Sequence, residues 1–478
     1  MQHLNSNKIE NYFINLVLIF GLLLVFIIPP LQMPDEESHF KKAYVTSEFK
    51  FFAESHESGK IGNYIPKAIQ DFEDSTRYMI GNVEKKYSYS QFYSDLWTAK
   101  NFDEKIFSQY SMSSTHPVAY LPQATGMFLT RILFNLPLIG NHDSLTPATY
   151  MYAGRIANLI FFIICIKFSI RTIPFFKRVV FLLGLMPMTF SLASSLSQDT
   201  VVIGVTFLFI SFVFKLAFDE QIVTVSKKQL IYFIIFAVIL VELKLIYYLL
   251  LFLFLLIPRK KFASIKQYYI SFIIIFFSGI ISHLLWMLIS KVSLAVPGGG
   301  FQNNTSLQLS FILDNPVQYF IILINTLIEY KIFYLTSFVG NLGSLDTNFP
   351  YLFILCYLIL LLVTASIDVN EKISITINNK LISFFIIIAI FVLIETSQYL
   401  TWTSLPQIGG IGHRVVSGVQ GRYFIPFSIL ILFMFYFKKL SDFKLFTLIR
   451  DFINKYIPVL VIFSCLFTLL ILVLRYWI

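Results

Sequence analysis

Apolar runs rich in Phe, Ile and Leu recur along this sequence at lengths that match or exceed the roughly 20 residues needed to cross a bilayer. Phe alone occurs 53 times in 478 residues, and only 13% of the chain is charged. A soluble domain carries about 25%. The chain therefore reads as an all-α polytopic integral membrane protein, a single transmembrane unit over 1–478 with the lipid bilayer as its first partner. The net charge of +10 then reports orientation in the membrane. No clustered basic face points to nucleic acid. The three cysteines, Cys165, Cys356 and Cys465, fall inside apolar runs, where they read as small core residues without a disulfide framework.

Taken in order, the pattern predicts spans near 11–30, 149–170, 179–196, 200–218, 269–291, 350–367, 381–399, 424–437 and 456–475. The first reads as an uncleaved signal anchor. The stretch 229–257 is too long for one crossing, is interrupted by Glu242 and Lys244, and has basic residues at both ends. It is expected to be two short helices that turn back at the interruption. The total is about eleven spans. Positive-inside bias puts the loops holding Lys177, Arg178, Lys372, Lys380 and Lys438 in the cytoplasm. The polar loops then lie outside: a large first loop over 31–148, and further loops over 292–349 and 400–423. The segments 118–138 and 317–338 are apolar but carry Arg131, and Asn325, Glu329 and Lys331. The first is expected to lie on the membrane surface, the second to be interfacial or re-entrant. No internal repeat stands out.

A charge at a membrane edge is costly, so the polar islands are where function is sought. The first is PPLQMPDEESHFKKAY, 29–44. Pro34 can start a helix, and Asp35, Glu36 and Glu37 suit its N-terminal dipole. Asp35, His39 and Lys42 then share one face. A capped helix end and a working acid cluster are the two readings. Asp199, after SLASSLSQ, is either an N-cap for the next span or a functional acid. Lys244 is either a snorkelling lysine or a cation lining a cavity, and it cannot share a helix face with Glu242, two residues away. GVQGRYFIP at 418–426, with His413 and Arg414 upstream, places Arg422 at the outer start of a span. Gly418 and Gly421 there allow close backbone approach to a ligand, and an arginine suits a phosphate. GNLGSLDTNFP (340–350) reads as a structural turn, and Asn303-Asn304-Thr305-Ser306 as a weak glycosylation match.

No metal-ligand spacing, P-loop, GxSxG or HExxH occurs. One acid and several cations at the outer face suit transfer of a sugar from a polyprenyl-phosphate carrier. The phosphate leaves without a general acid, whereas a glycosidase needs two carboxylates. One carboxylate acting as base on the acceptor hydroxyl suffices, and cations stabilise the leaving phosphate.

PDEESHF after the first span, the S-x-S-x-D turn, the lysine break, GNLGSLDTNFP and GVQGRYFIP together resemble a family of bacterial polytopic membrane proteins grouped with the GT-C-type glycosyltransferases. The motifs cover about 29–430. The resemblance implies a GT-C-like fold, a catalytic base at Asp35 with Glu36 as second choice, and His116 near the site. Its HPVAY is similar to the His-Pro element of protein mannosyltransferases and aminoarabinose transferases but lacks their usual second proline. The chain also lacks a soluble C-terminal domain like that of oligosaccharyltransferases. The expectation is an inverting glycosyltransferase of the bacterial cytoplasmic (inner) membrane with an extracytoplasmic site. It would use a polyprenyl-phosphate-sugar donor and a cell-surface glycan or lipid-linked precursor as acceptor. Asp35 and Glu36 are the catalytic candidates; His39, His116, Asp199, Lys244, His413, Arg414 and Arg422 the substrate-binding ones. A divalent cation is the one cofactor left open, with Asp199 as an acceptor or metal contact. The alternatives are a carrier or flippase for a lipid-linked saccharide, and a polysaccharide polymerase or ligase.

Overall fold

The computed structural model describes residues 9–57, 59–135, 145–290, 304–438 and 443–478. Pro297–Gly300 and Asn303 of the sequon lie outside them. Within them the chain is an all-α membrane protein. Seven helices are long and apolar enough to cross a bilayer, and Leu245–Leu256, Tyr351–Ile367 and Gly421–Phe433 are shorter apolar helices.

The chain opens with α1 (Ile9–Leu16) and α2 (Leu22–Ile27), joined by a π-helical turn, and bends into α3 (Glu36–Ser47). The segment up to residue 146 carries α4 (Lys67–Thr76), α5 (Tyr89–Trp97) and a three-stranded antiparallel sheet. That sheet is made of β1 (Glu54–Ser55), β2 (Ile61–Pro66) and β3 (Lys105–Ser108). A short 3-10 turn, Pro117–Tyr120, leads into α6 (Leu121–Phe134). At 14 residues α6 is about 21 Å long, too short to cross a bilayer. It packs along its neighbour in the chain. Gly126 sits against Ala153 and Ala157, and Arg131 over Tyr150, so α6 runs antiparallel beside the first half of α7 (Pro147–Thr172).

The next helices form a hairpin series. Pro187 separates α8 (Lys177–Gly184) from α9 (Pro187–Ala193) because it lacks the amide a continuous helix needs. The Leu182 carbonyl near the break accepts from the Tyr357 hydroxyl at 2.8 Å. Then come α10 (Asp199–Phe218) and α11 (Lys227–Leu243), the latter started by a Ser226/Gln229 capping box. Lys244 is extended, and the chain returns as the 3-10 helix Leu245–Leu256. The expected reversal is there, at the expected residue.

α12 (Ile265–Ser290) and α13 (Thr305–Asp314) precede α14 (Pro316–Val339). Tyr319, near the start of α14, bonds Thr396, and Tyr334, near its end, bonds Glu395. Both partners lie at one end of α16 (Ile377–Gln398), so α14 crosses over that end. A two-stranded hairpin, β4 (Asn341–Leu342) with β5 (Thr347–Asn348), leads into α15 (Tyr351–Ile367) and then α16. The 3-10 turn Gly421–Phe427 continues into α17 (Ser428–Phe433), and α18 (Lys444–Tyr476) closes the chain.

Two sets of bonds fix the ends of the bundle. At one end Arg178 pairs with Asp368, Lys261 donates to the carbonyls of Leu216 and Asp219, and Lys380 to those of Met434 and Tyr436. At the other, called here the loop end, the last residues latch onto the first loop. Arg475 binds Asp346 at 2.7 Å and the carbonyls of Met79 and Lys85. The Trp477 indole donates to Ile27 O, and the Tyr87 amide to Tyr476 O.

Candidate functional site

The turn between α9 and α10 decides what Asp199 can do. Helix starts leave amides without intrahelical partners, and a carboxylate is the usual cap. Here the Leu196 amide donates to Glu36 Oε1 (3.0 Å), the Ser197 amide to the Ser195 hydroxyl and the Asp199 amide to the Ser197 hydroxyl. The Asp199 carboxylate is released from capping. Its Oδ1 accepts from Lys244 Nζ at 2.7 Å and its Oδ2 from Arg422 Nη1 at 3.1 Å. The other arm of that guanidinium, Nη2, meets Asp35 Oδ2 at 3.2 Å, and Nε binds Gln420. The result is a chain of alternating charges, Asp35–Arg422–Asp199–Lys244, drawn from four separate segments at the loop end.

The four members differ in access. Arg422 is 3% exposed and Asp199 9%, whereas Asp35 is 50% exposed and Lys244 28%. The inner two, with every charged atom engaged, hold the outer two. Among the described residues Asp35 Oδ1 has no hydrogen-bond or ion-pair partner. Its backbone is left-handed (φ 58°) and its carboxylate does not cap α3. Aspartate tolerates that conformation better than most residues. The Tyr423 ring lies 5.3 Å from both the Lys244 ammonium and the Arg422 guanidinium, a cation–π geometry. The Tyr423 carbonyl is held by the Tyr247 hydroxyl.

Around this chain the expected residues divide. His39 Nδ1 lies 2.8 Å from the Tyr120 hydroxyl. Burial pushes its imidazole down to about 4, so it is neutral at neutral pH. Lys42, expected on the same face, is buried and donates to the carbonyls of Phe51 and Ser113, which makes it a clamp for the first loop. Burial lowers it to about 8.

Glu36 is corrected. It is fully buried against Arg155, with Oε1 2.9 Å from Nε and Oε2 2.7 Å from Nη2, and it also accepts from the amides of Met33 and Leu196. Arg155 adds bonds to the carbonyls of Val25, Ile28 and Pro29. The pair pins the 28–35 turn to α7 and has no face left for a substrate. Glu37, read from sequence as a simple helix-start acid, is the half-buried one. Burial, with Asp35 and Glu73 adding to it, raises its carboxyl to about 7.

Arg422, expected to meet a phosphate, is enclosed between two aspartates with all three guanidinium nitrogens engaged. Arg414 is exposed and paired with Glu329, and the His413 carbonyl accepts from Tyr399; neither touches the charge chain. His116 packs on Trp286 at 4.1 Å, and its Nδ1 accepts the Val118 amide. Burial lowers its imidazole. Glu242 turns away from Lys244, as a two-residue spacing requires. It binds the Ser282 hydroxyl at 2.9 Å and His283 at 3.2 Å, tying α12 to α11. Gly421 is close to backbone, but that backbone is the protein's own: a Cβ there would strike Tyr334 O and Phe338 N of α14. Gly418 (φ 93°) faces the Trp402 ring. For a divalent cation the donors do not fit. Both Asp199 oxygens face cations already, and among the described residues no three His, Cys, Asp or Glu side chains could hold a metal ion.

Sequence reasoning missed Arg155, Tyr120, Tyr247 and Tyr423. Only Arg155 carried a signal, a charge inside an apolar run.

The class so defined is an all-α membrane protein with a chain of alternating charges gathered at one end of its helices. The chain belongs to the family described as predicted membrane protein (DUF2142), whose profile matches residues 18–431. Comparison with curated proteins and with solved structures returns no match.

Proposed function

We propose that this protein transfers a sugar from a polyprenyl-phosphate carrier to a glycan or lipid-linked acceptor at the extracytoplasmic face of the bacterial cytoplasmic membrane. The basic residues gathered at the far end from the site, among them Arg178, Lys261, Lys380 and Lys438, support that orientation by the positive-inside bias. Counting the α8–α9 pair, α11, the 3-10 helix at 245–256, α15 and the 421–433 segment as crossings, and α14 as lying across the bundle, gives about eleven. That count suits a GT-C-like arrangement.

One observation carries the reading. Of four linked charges only Asp35, half-exposed and with Oδ1 unengaged, can take a proton from outside, and only Lys244 among the cations faces solvent. The acceptor oxygen attacks the anomeric carbon as the bond from that carbon to the phosphate oxygen breaks. The acceptor proton goes to Asp35 Oδ1, and the electron pair stays on the phosphate, whose charge Lys244 meets. A lone base on the face opposite the leaving group gives inversion. Asp199 and Arg422 hold base and cation at a fixed spacing, the kind of preorganisation that lowers a charged barrier.

The test is Asp35→Asn in proteoliposomes supplied with a panel of polyprenyl-phosphate sugars. Loss of a general base predicts a rate lower by about 10²–10⁴-fold, with the protein still folded. Full transfer by Asp35→Asn would show that the base lies elsewhere.

A further inference from the structure

The end of the bundle opposite the charge chain holds a cavity of about 620 Å³, where the close of α10 and of the 3-10 helix Leu245–Leu256 meet the starts of α12 and α16. Pro258 lacks the amide that another turn of the 3-10 helix would use, and the chain bends away through Arg259–Lys261. That bend divides its three cations. Lys261 is buried and donates to the carbonyls of Leu216 and Asp219, whereas Arg259 and Lys260 are exposed and line the cavity. The Arg259 guanidinium lies 5.3 Å from the Tyr269 ring and 5.9 Å from the Tyr268 ring. Such a cation–π setting restrains the group and leaves its N–H donors to bind something else. Among the described residues neither Arg259 nor Lys260 has a hydrogen-bond or ion-pair partner. Two further donors on the wall are unspent: the Ser374 hydroxyl, and Asn379 Nδ2, since Asn379 engages Thr376 through Oδ1 alone. No Asp or Glu lines the cavity among the described residues.

We infer that this cavity binds the headgroup of an anionic phospholipid, its phosphate met by Arg259 and Lys260 with Ser374 and Asn379 as hydrogen-bond donors. Exposed basic residues at one end of a membrane protein are ordinary, and two cations alone say nothing of a ligand. Here they share one concave wall with apolar side chains, Phe218, Leu255, Leu256 and Ile382 among them. A free phosphate matches the cations and leaves that apolar part of the wall facing water. A phospholipid satisfies both. The surface beside the cavity decides where the acyl chains go. Tyr269, Ile273 and Phe277 follow one another at i, i+4 and i+8 on α12 and all are exposed, so an apolar stripe starts at the cavity wall and runs along the span. Basic pockets between membrane helices are known headgroup sites, and the volume lies within the 300–1,000 Å³ of ordinary ligand pockets. The site stands at the far end from Asp35 and Lys244 and is independent of the reaction proposed there.

The experiment titrates the full chain, in a neutral detergent, with phosphatidylglycerol and reads retained lipid by native mass spectrometry. Phosphatidylglycerol should bind at least tenfold more tightly than phosphatidylcholine, whose phosphate charge is cancelled within its own headgroup. Arg259→Gln with Lys260→Gln should weaken phosphatidylglycerol about thirtyfold, each cation near an anionic lipid being worth roughly fivefold. Ser374→Trp, at an exposed position and with charge unchanged, should weaken it too by filling the cavity, so a charge variant that misfolds does not end the test. Lys227→Gln with Lys228→Gln removes two exposed cations from the same end but outside the cavity and should leave binding as it was. An equal loss in that control pair would show a diffuse surface attraction and overturn the site. Equal affinity for phosphatidylcholine overturns it as well, as does wild-type binding in both the Arg259/Lys260 and the Ser374 variants. Displacement of the lipid by millimolar inorganic phosphate would make the cavity a site for a free anion and overturn the lipid assignment. Lipid retention is read without turnover, so failure of the transferase reading and failure of this one are separate results.

Discussion

Glu36→Gln separates a structural acid from a chemical one at adjacent positions. Glu36 and Arg155 are both fully buried, and the carboxylate accepts four hydrogen bonds, two from the guanidinium and one each from the amides of Met33 and Leu196. Removing one partner of such a pair leaves a buried charge uncompensated, at a cost of about 3–5 kcal/mol. At about 1.4 kcal/mol per tenfold, even the lower figure means opening of the 28–36 turn about 100-fold more often. Asp35→Asn acts on a half-exposed ion pair worth about 0–1 kcal/mol and should open the turn less than about tenfold. Hydrogen exchange read by mass spectrometry on peptides covering 28–40 and 192–200 measures both. Glu36→Gln should accelerate exchange in both peptides, because Leu196 lies on the second. The double substitution Glu36→Leu with Arg155→Leu should recover much of the loss, since both charges leave together. Glu36→Gln with wild-type exchange and abolished transfer would refute the structural role and restore Glu36 as a reacting group.

Arg422→Lys should fail to rescue activity, because a single ammonium cannot reach both aspartates as the planar guanidinium does. The check is transfer rate alongside an unchanged elution profile. Gly421→Ala pushes a methyl into the α14 backbone and should displace Arg422, lowering transfer while the protein still inserts; wild-type kinetics would show that the turn adapts. Melting temperature against pH should carry two opposed contributions. His39, held at about 4 against an ordinary 6.5, contributes stability that is full above pH 6.5 and is lost as pH falls toward 4. Glu37, raised to about 7 from 4.5, contributes stability that is full below pH 4.5 and is lost as pH rises toward 7. His39→Gln should flatten the acid limb, and Glu37→Gln should raise the melting temperature above pH 7.

Much of the helical frame was legible because hydrophobic length is a local property. The spans near 149–170, 200–218, 269–291, 350–367 and 381–399 differ from α7, α10, α12, α15 and α16 by a few residues at each end. The reversal at Lys244 was legible for the same reason, from charge interrupting an apolar run. Pairings were not. Asp35 and Arg422 are 387 residues apart and Asp199 and Arg422 223, and no periodicity encodes which distant charge meets which. Hence neither the Arg155 partner of Glu36 nor the two aspartates around Arg422 can be read from the sequence. The surface sheet β1–β3 was missed because its strands are short and its side chains mixed. The packing of α6 along α7 was not legible because composition does not report which helix receives it.

The charge chain also has a history written in the order of synthesis. Asp199 enters the membrane 45 residues ahead of Lys244 and 223 ahead of Arg422. A nascent chain can therefore pair that acid with Lys244 alone while the arginine is still unmade. The late segment then arrives to divide the acid between two cations and to capture Asp35, which has waited since the first helix. The latch of Arg475 and Trp477 onto residues 27–85 comes later still. The time taken to make residues 245–422 thus sets how long a nascent copy holds that acid against one cation in place of two.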